Sequence, residues 1–193
     1  MNKKIGIFGG SFNPIHKGHI AMAHKLLRKE HLDEIWFVVS PLNPFKTAAA
    51  DLLADDLRLD MTQKALADEP HLKASDYEFH LPKPSYTWDT LRHLSVDYPG
   101  DQFTLLIGAD NWSAWDRWCH TDDILKYYEV VIYPRKDHPV DVASLPKGVS
   151  LAEMRLYEVS SSDIRKKVQA GESVADLVPE KILPLVEKYY SVK

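Results

Sequence analysis

The 193-residue chain has one cysteine, Cys119, which excludes an intramolecular disulfide and leaves no cysteine-rich zinc site. No apolar run approaches the ~18 residues of a membrane helix, and the first residues carry no signal-type stretch, so the chain reads as cytoplasmic, with no membrane partner. Charge of neither sign is blocked: the formal net charge is -4, with no basic run for nucleic acid and no polyacidic arm. Two familiar phosphate-binding fingerprints are missing as well. Neither G-x-x-x-x-G-K-[ST] nor G-x-G-x-x-G occurs, so any phosphate must be held another way. Internal repeats and low-complexity tracts are also absent.

What remains is an ordinary globular composition, 45% hydrophobic and 27% charged, at a length suited to one domain with a small helical appendage. Strand-like and helix-like runs alternate. "KIGIF" (4–8), "EIWFVV" (34–39), "QFTLLIG" (102–108) and "EVVIYP" (129–134) are short, continuous and apolar, as buried strands are. "HLKASDYEF" (71–79) reads as extended, and "LYEV" (156–159) as a further strand. Helical patterns follow over 16–31, 54–70 and 87–100, and "SSSDIRKKVQAG" (160–171) opens on an N-cap cluster and stops at Gly171. This order predicts an α/β fold: a Rossmann-like parallel sheet with helices on both faces, and a small C-terminal helical portion. The expected division is a core over 1–158 and helices over 159–193 within one domain, with 136–148 as a surface excursion.

Three stretches carry the chemistry. "GGSFNPIHKGH" (9–19) lies where the first strand hands over to a helix, at the carboxyl end where open parallel sheets bind ligands. Gly9 and Gly10 allow close backbone approach and positive φ, while Ser11, Asn13 and Pro14 favour a turn. His16 and His19 are three apart, hence on nearly one side of a first helical turn, with Gly18 between them. Both could donate to a phosphate at the positive end of the helix; a capping pair, or half of a metal site whose third ligand is not apparent, are the other readings. "EVSSSDIRKK" (158–167) is a second candidate cradle, with Ser161 and Ser162 at a helix start and Arg165 one turn on, or else a plain N-cap. In "IGADNWSAWDRW" (107–118), Gly108 and Asp110 end a strand where a carboxylate could accept from ribose hydroxyls, and Trp112, Trp115 and Trp118 are by default core.

Together these stretches resemble the nucleotidyltransferase superfamily marked by an (H/T)xGH motif after the first strand, here "HKGH" (16–19). Within it the chain is similar to the bacterial nicotinate-nucleotide adenylyltransferases. Four segments in the family's order carry the likeness: "GIFGGSFNPIHKGH", "PSYTWDT" (84–90), "LLIGADN" (105–111) with Trp118, and "VSSSDIR" (159–165). Ser162 stands where that family has threonine, and the loop "PLNPFK" lacks the histidine often found before its lysine.

The resemblance implies adenylyl transfer from ATP to nicotinate mononucleotide, with magnesium accompanying ATP and no dedicated protein metal site. It implies His16, His19 and Arg165 as catalytic, and Gly9, Gly10, Ser11, Phe12, Gly18, Gly108, Asp110, Ser161 and Ser162 around ATP. Asn13, Lys46, Thr87, Trp118 and Cys119 would face the mononucleotide, which takes Trp118 out of the core. A homo-oligomer is a further expectation. The alternatives are a related transferase with nicotinamide mononucleotide or phosphopantetheine as acceptor, or a nucleotide sensor without turnover. Class I aminoacyl-tRNA synthetases carry a related motif, but no K-M-S-K-S stretch occurs here.

Overall fold

The computed structural model describes residues 2–41, 52–155 and 157–191. Six strands form one sheet: β1 Lys4–Gly10, β2 Glu34–Val39, β3 Leu72–Ser75, β4 Gln102–Gly108, β5 Glu129–Tyr133 and β6 Val149–Leu151. All neighbours are parallel, in the order β3-β2-β1-β4-β5-β6. The order therefore reverses between β1 and β4, which opens a crevice beyond their carboxyl ends.

The continuous apolar strands follow from burial on both faces. Ile5, Ile7, Leu105, Ile107, Val130 and Ile132 point into one core, with Leu91 and Leu94 of α3 (Thr87–Asp97) and Ile124 of α5 (Thr121–Tyr127). Phe8, Leu106, Val131 and Tyr133 point into the other, which takes the apolar stripe of α1 (Lys17–Lys29) and Met61 and Ala65 of α2 (Asp55–Leu66). A short α4 (Ala109–Trp112) caps β4. The C-terminal portion, α6 (Ser161–Gln169) and α7 (Leu183–Tyr190), adds Ile164, Val186 and Tyr190 to the second core.

Two assignments change. The sixth strand is Val149–Leu151, paired with β5; of the expected 156–159, residue 156 lies outside the described residues and 157–159 are irregular, with Tyr157 and Val159 lining a cleft. Only 72–75 of the expected extended segment is strand, because Tyr77–His80 winds into a 3-10 turn against α3. The excursion 136–148 is largely exposed, and Asp141 caps a 3-10 turn within it.

Candidate active site

His16 is the N-cap of α1, with extended backbone (φ -146°, ψ 168°). Its Nδ1 accepts the His19 N–H at 3.3 Å, and the His19 Nδ1 accepts the His16 N–H at 3.3 Å. The two imidazoles thus build a capping box from residues that are not its usual members. Their rings stack 3.6 Å apart, at 19°. An imidazole whose Nδ1 accepts must, if neutral, carry its hydrogen on Nε2, so the backbone fixes both tautomers. Burial, with Arg135 adding repulsion, pushes His16 down to about 3. Burial, then His16, then Arg135 hold His19 well below the ordinary histidine range. The pair is therefore two neutral N–H donors at neutral pH. Gly18 matters here, because a Cβ on it would come 3.0 Å from the His16 Nδ1.

The turn leading to this cap is gripped from several directions. Arg58 of α2 is fully buried and donates to the Ser11 carbonyl at 2.5 Å and to the Leu53 carbonyl at 2.8 Å. It also pairs with Asp55. Ser161 donates to the Pro14 carbonyl (2.8 Å), and Arg165 Nη1 donates to the Asn13 carbonyl (2.8 Å). Arg165 also reaches Ser162 Oγ at 3.5 Å. The second motif is thus docked on the first, and Ser161 uses its proton on the chain itself. Asn13 is 7% exposed, and its side chain accepts from Tyr190 and from the Leu53 N–H. It positions the turn rather than lining the cavity described next.

Positive φ falls on Phe12 (45°), not on Gly9 or Gly10, which stay in the strand. A buried aromatic in the left-handed region is strained, and packing must hold it there. Phe12 is wedged against Phe8, Phe37 and His19 at 5.3–5.5 Å between ring centres. Its side chain is core, so only its backbone can serve a ligand.

A cavity of about 310 Å³ opens on one side of the glycines, walled by Gly9, Gly10, Ser85, Thr87, Trp118 and Cys119 among others. It brings together three of the residues expected at the acceptor: Thr87, Trp118 and exposed Cys119. Lys46 lies outside the described residues. The three tryptophans do not share one helix. Trp112 ends α4, Trp115 sits in a 3-10 turn with 7% exposure, and Trp118 is extended beyond it. Their rings stagger at 5.1 and 5.2 Å, so Trp115 is core and buttresses Trp118 at the cavity wall.

A smaller cleft is lined by His16, Gly18, His19, Arg135, Tyr157 and Val159. Arg135, just past β5, was not singled out from the sequence, although its place at a strand's carboxyl end was a usable signal. Its Nε lies 3.6 Å from Asp110 Oδ1. Gly108 permits this arrangement: a Cβ there would meet Asp110 Oδ1 at 2.2 Å and Arg135 Nε at 3.2 Å. Among the described residues no group of three or more His, Cys, Asp or Glu could hold a metal, and no helix is long and apolar enough to cross a membrane.

Residues 7–167 match the cytidylyltransferase-like family. A Bacteroides fragilis protein named "probable nicotinate-nucleotide adenylyltransferase" is 47% identical over 171 residues, covering 89% of this chain and 85% of its own. Its namesake in Bacteroides thetaiotaomicron is 44% identical, covering 96% and 92%. In fold, the chain is similar to the Plasmodium falciparum nicotinic acid mononucleotide adenylyltransferase complexed with NaAD. The TM-score is 0.78 at 22% identity, over 97% of this chain and 94% of that one.

Proposed function

The chain belongs to the cytidylyltransferase-like family, among the nicotinate-nucleotide adenylyltransferases, and we propose that it joins ATP and nicotinate mononucleotide into nicotinate adenine dinucleotide, releasing pyrophosphate. One observation carries this reading. At the β1/β4 crevice, one cleft gathers two neutral imidazole donors and a guanidinium, and a cavity of mononucleotide size opens beside the glycine turn.

The reaction needs alignment more than proton transfer. The acceptor phosphate is already an anion at neutral pH, so its oxygen attacks the α-phosphorus of ATP without a general base, and the pyrophosphate oxygen leaves. Two anions must be brought together. His16 and His19 donate from Nε2 to phosphoryl oxygens and, being neutral, gain nothing by proton exchange with solvent first. Arg135 and Arg165 supply the positive charge, and the backbone of Gly9 to Phe12 lets the phosphates close in. Asp110 faces the ribose side beside Arg135. A magnesium ion would enter on ATP, held by phosphate oxygens and water, and would neutralise charge on the leaving group. Trp118 would stack on the pyridine ring, while Thr87, at the start of α3, offers donors to its carboxylate.

The test is direct. Incubation with ATP, magnesium and nicotinate mononucleotide should yield stoichiometric pyrophosphate and dinucleotide. Neither product forming with this acceptor, or with the nicotinamide form, would overturn the assignment.

A further inference from the structure

The wall of the acceptor cavity contains a carboxyl group. Glu78, in the 3-10 turn, is 7% exposed and shares that wall with Ser40, Ser85, Thr87 and Trp118. Its Oε1 accepts the Thr90 hydroxyl at 3.0 Å. Its Oε2 is buried and has no hydrogen-bond partner among the described residues, and the same is true of the Ser85 hydroxyl in the same wall. Buried carboxylates ordinarily collect several donors or a cation, because desolvating the charge is otherwise too costly.

Burial pushes this carboxyl up to about 7, against the Thr90 and Ser40 hydroxyls beside it, which favour the charged form. The neighbouring titratable and charged groups are Tyr77 and His80 in its own turn, Asp89, Arg92 and His93 on α3, and Tyr86, Arg117 and Cys119 around the cavity. None of them is among the causes of the shift.

An ionised Glu78 in this wall would repel a pyridine carboxylate in the same cavity. A neutral Glu78 carries no such charge. We infer that Glu78 is a specificity residue: as the neutral acid in this wall it admits the carboxylate of nicotinate mononucleotide, which an ionised carboxylate there would repel. Once ionised, it disfavours that carboxylate and not the uncharged carboxamide of the nicotinamide form. Preference for acid over amide is then gated by one proton. This rests on the acceptor assigned above.

The experiment compares kcat/KM for the two mononucleotides, at saturating ATP and magnesium, from about pH 6 to about pH 8.5. The acid-to-amide ratio cancels the titration of the phosphate common to both substrates. In the wild type the ratio should fall on the order of tenfold or more across this range. In Glu78→Gln, which keeps shape and does not titrate, it should stay constant within about twofold. A flat wild-type ratio, readable whether or not the variant folds, overturns the inference. So does an equal fall in Glu78→Gln, because another group would then be titrating. If the wild type turns over neither mononucleotide, the proposed function fails and this inference falls with it.

Discussion

Tyr190, in the last helix, donates its hydroxyl to the Asn13 Oδ1 at 2.6 Å, across 177 positions of sequence. The same oxygen accepts the Leu53 N–H at 3.2 Å, and the next carbonyls toward and away from the cap are taken by Arg58, Arg165 and Ser161. The turn that sets up the histidine cap is thus held by α2, α6 and α7 at once. Its geometry belongs to the tertiary structure.

Tyr190→Phe should remove only that hydroxyl while the ring stays packed. The expected loss is about 1 kcal/mol of stability, with kcat/KM lowered several-fold as the turn relaxes. Arg58→Met should cost more, about 3 kcal/mol, since it leaves the buried Ser11 and Leu53 carbonyls without their donor. Thermal unfolding beside steady-state kinetics measures both. Full activity in Tyr190→Phe would show that the turn does not depend on the C-terminal helix.

His16→Asn separates capping from catalysis. Asparagine is a good N-cap and can accept the His19 N–H, but it cannot place an Nε2 donor. Turnover should fall on the order of 10²–10³ while Tm shifts by only a few degrees. His16→Ala should lose turnover similarly and about 1 kcal/mol of stability besides. Near-normal turnover in His16→Asn would reduce the motif to a helix cap.

Acid should destabilise the fold through the same pair. Histidine titrates near 6.5 when unfolded, whereas the folded His16 titrates at about 3 and His19 is also depressed. The unfolded chain therefore takes up protons first, so the pair's contribution is full above pH 6.5 and is lost as pH falls from there toward about 3. Each histidine contributes a slope of up to about 1.4 kcal/mol per pH unit inside that window. Glu78 runs the other way between its unfolded 4.5 and about 7, but it is common to wild type and His16→Asn, so it cancels in their difference. Urea unfolding at several pH values should show the wild type losing stability faster than His16→Asn as pH drops.

Trp118→Ala and Arg135→Ala should part the two substrates' behaviour. Trp118 lines the larger cavity, so its loss should raise the KM of the mononucleotide about tenfold or more and leave that of ATP nearly unchanged. Arg135 faces the histidine cleft, so its loss should mainly lower kcat, on the order of 10²-fold. Equal effects of Trp118→Ala on both Michaelis constants would remove it from the acceptor site.

By itself the sequence determined the alternation of strands and helices, the two-sided burial of the sheet, and the placing of "HKGH" just beyond the carboxyl end of the first strand. These are local signals: an apolar run, a turn dipeptide or a cap residue is read within a few positions, where the backbone period acts. The ordered motifs likewise pointed to Thr87 and Trp118 together, and one cavity wall holds both. Where local signals were weak, the reading slipped. β6 is only three residues long and was read at 156–159, because pairing with β5 and not composition makes 149–151 a strand. Only the tertiary structure decided that His16 and His19 cap one another and so are neutral Nε2 donors, that Asn13 is tied to Tyr190, that Arg135 joins the crevice, and that Glu78 enters the cavity wall. Hydrogen bonding and desolvation are set by what packs around a group, and, the histidine pair apart, those neighbours come from segments as far as 177 positions away.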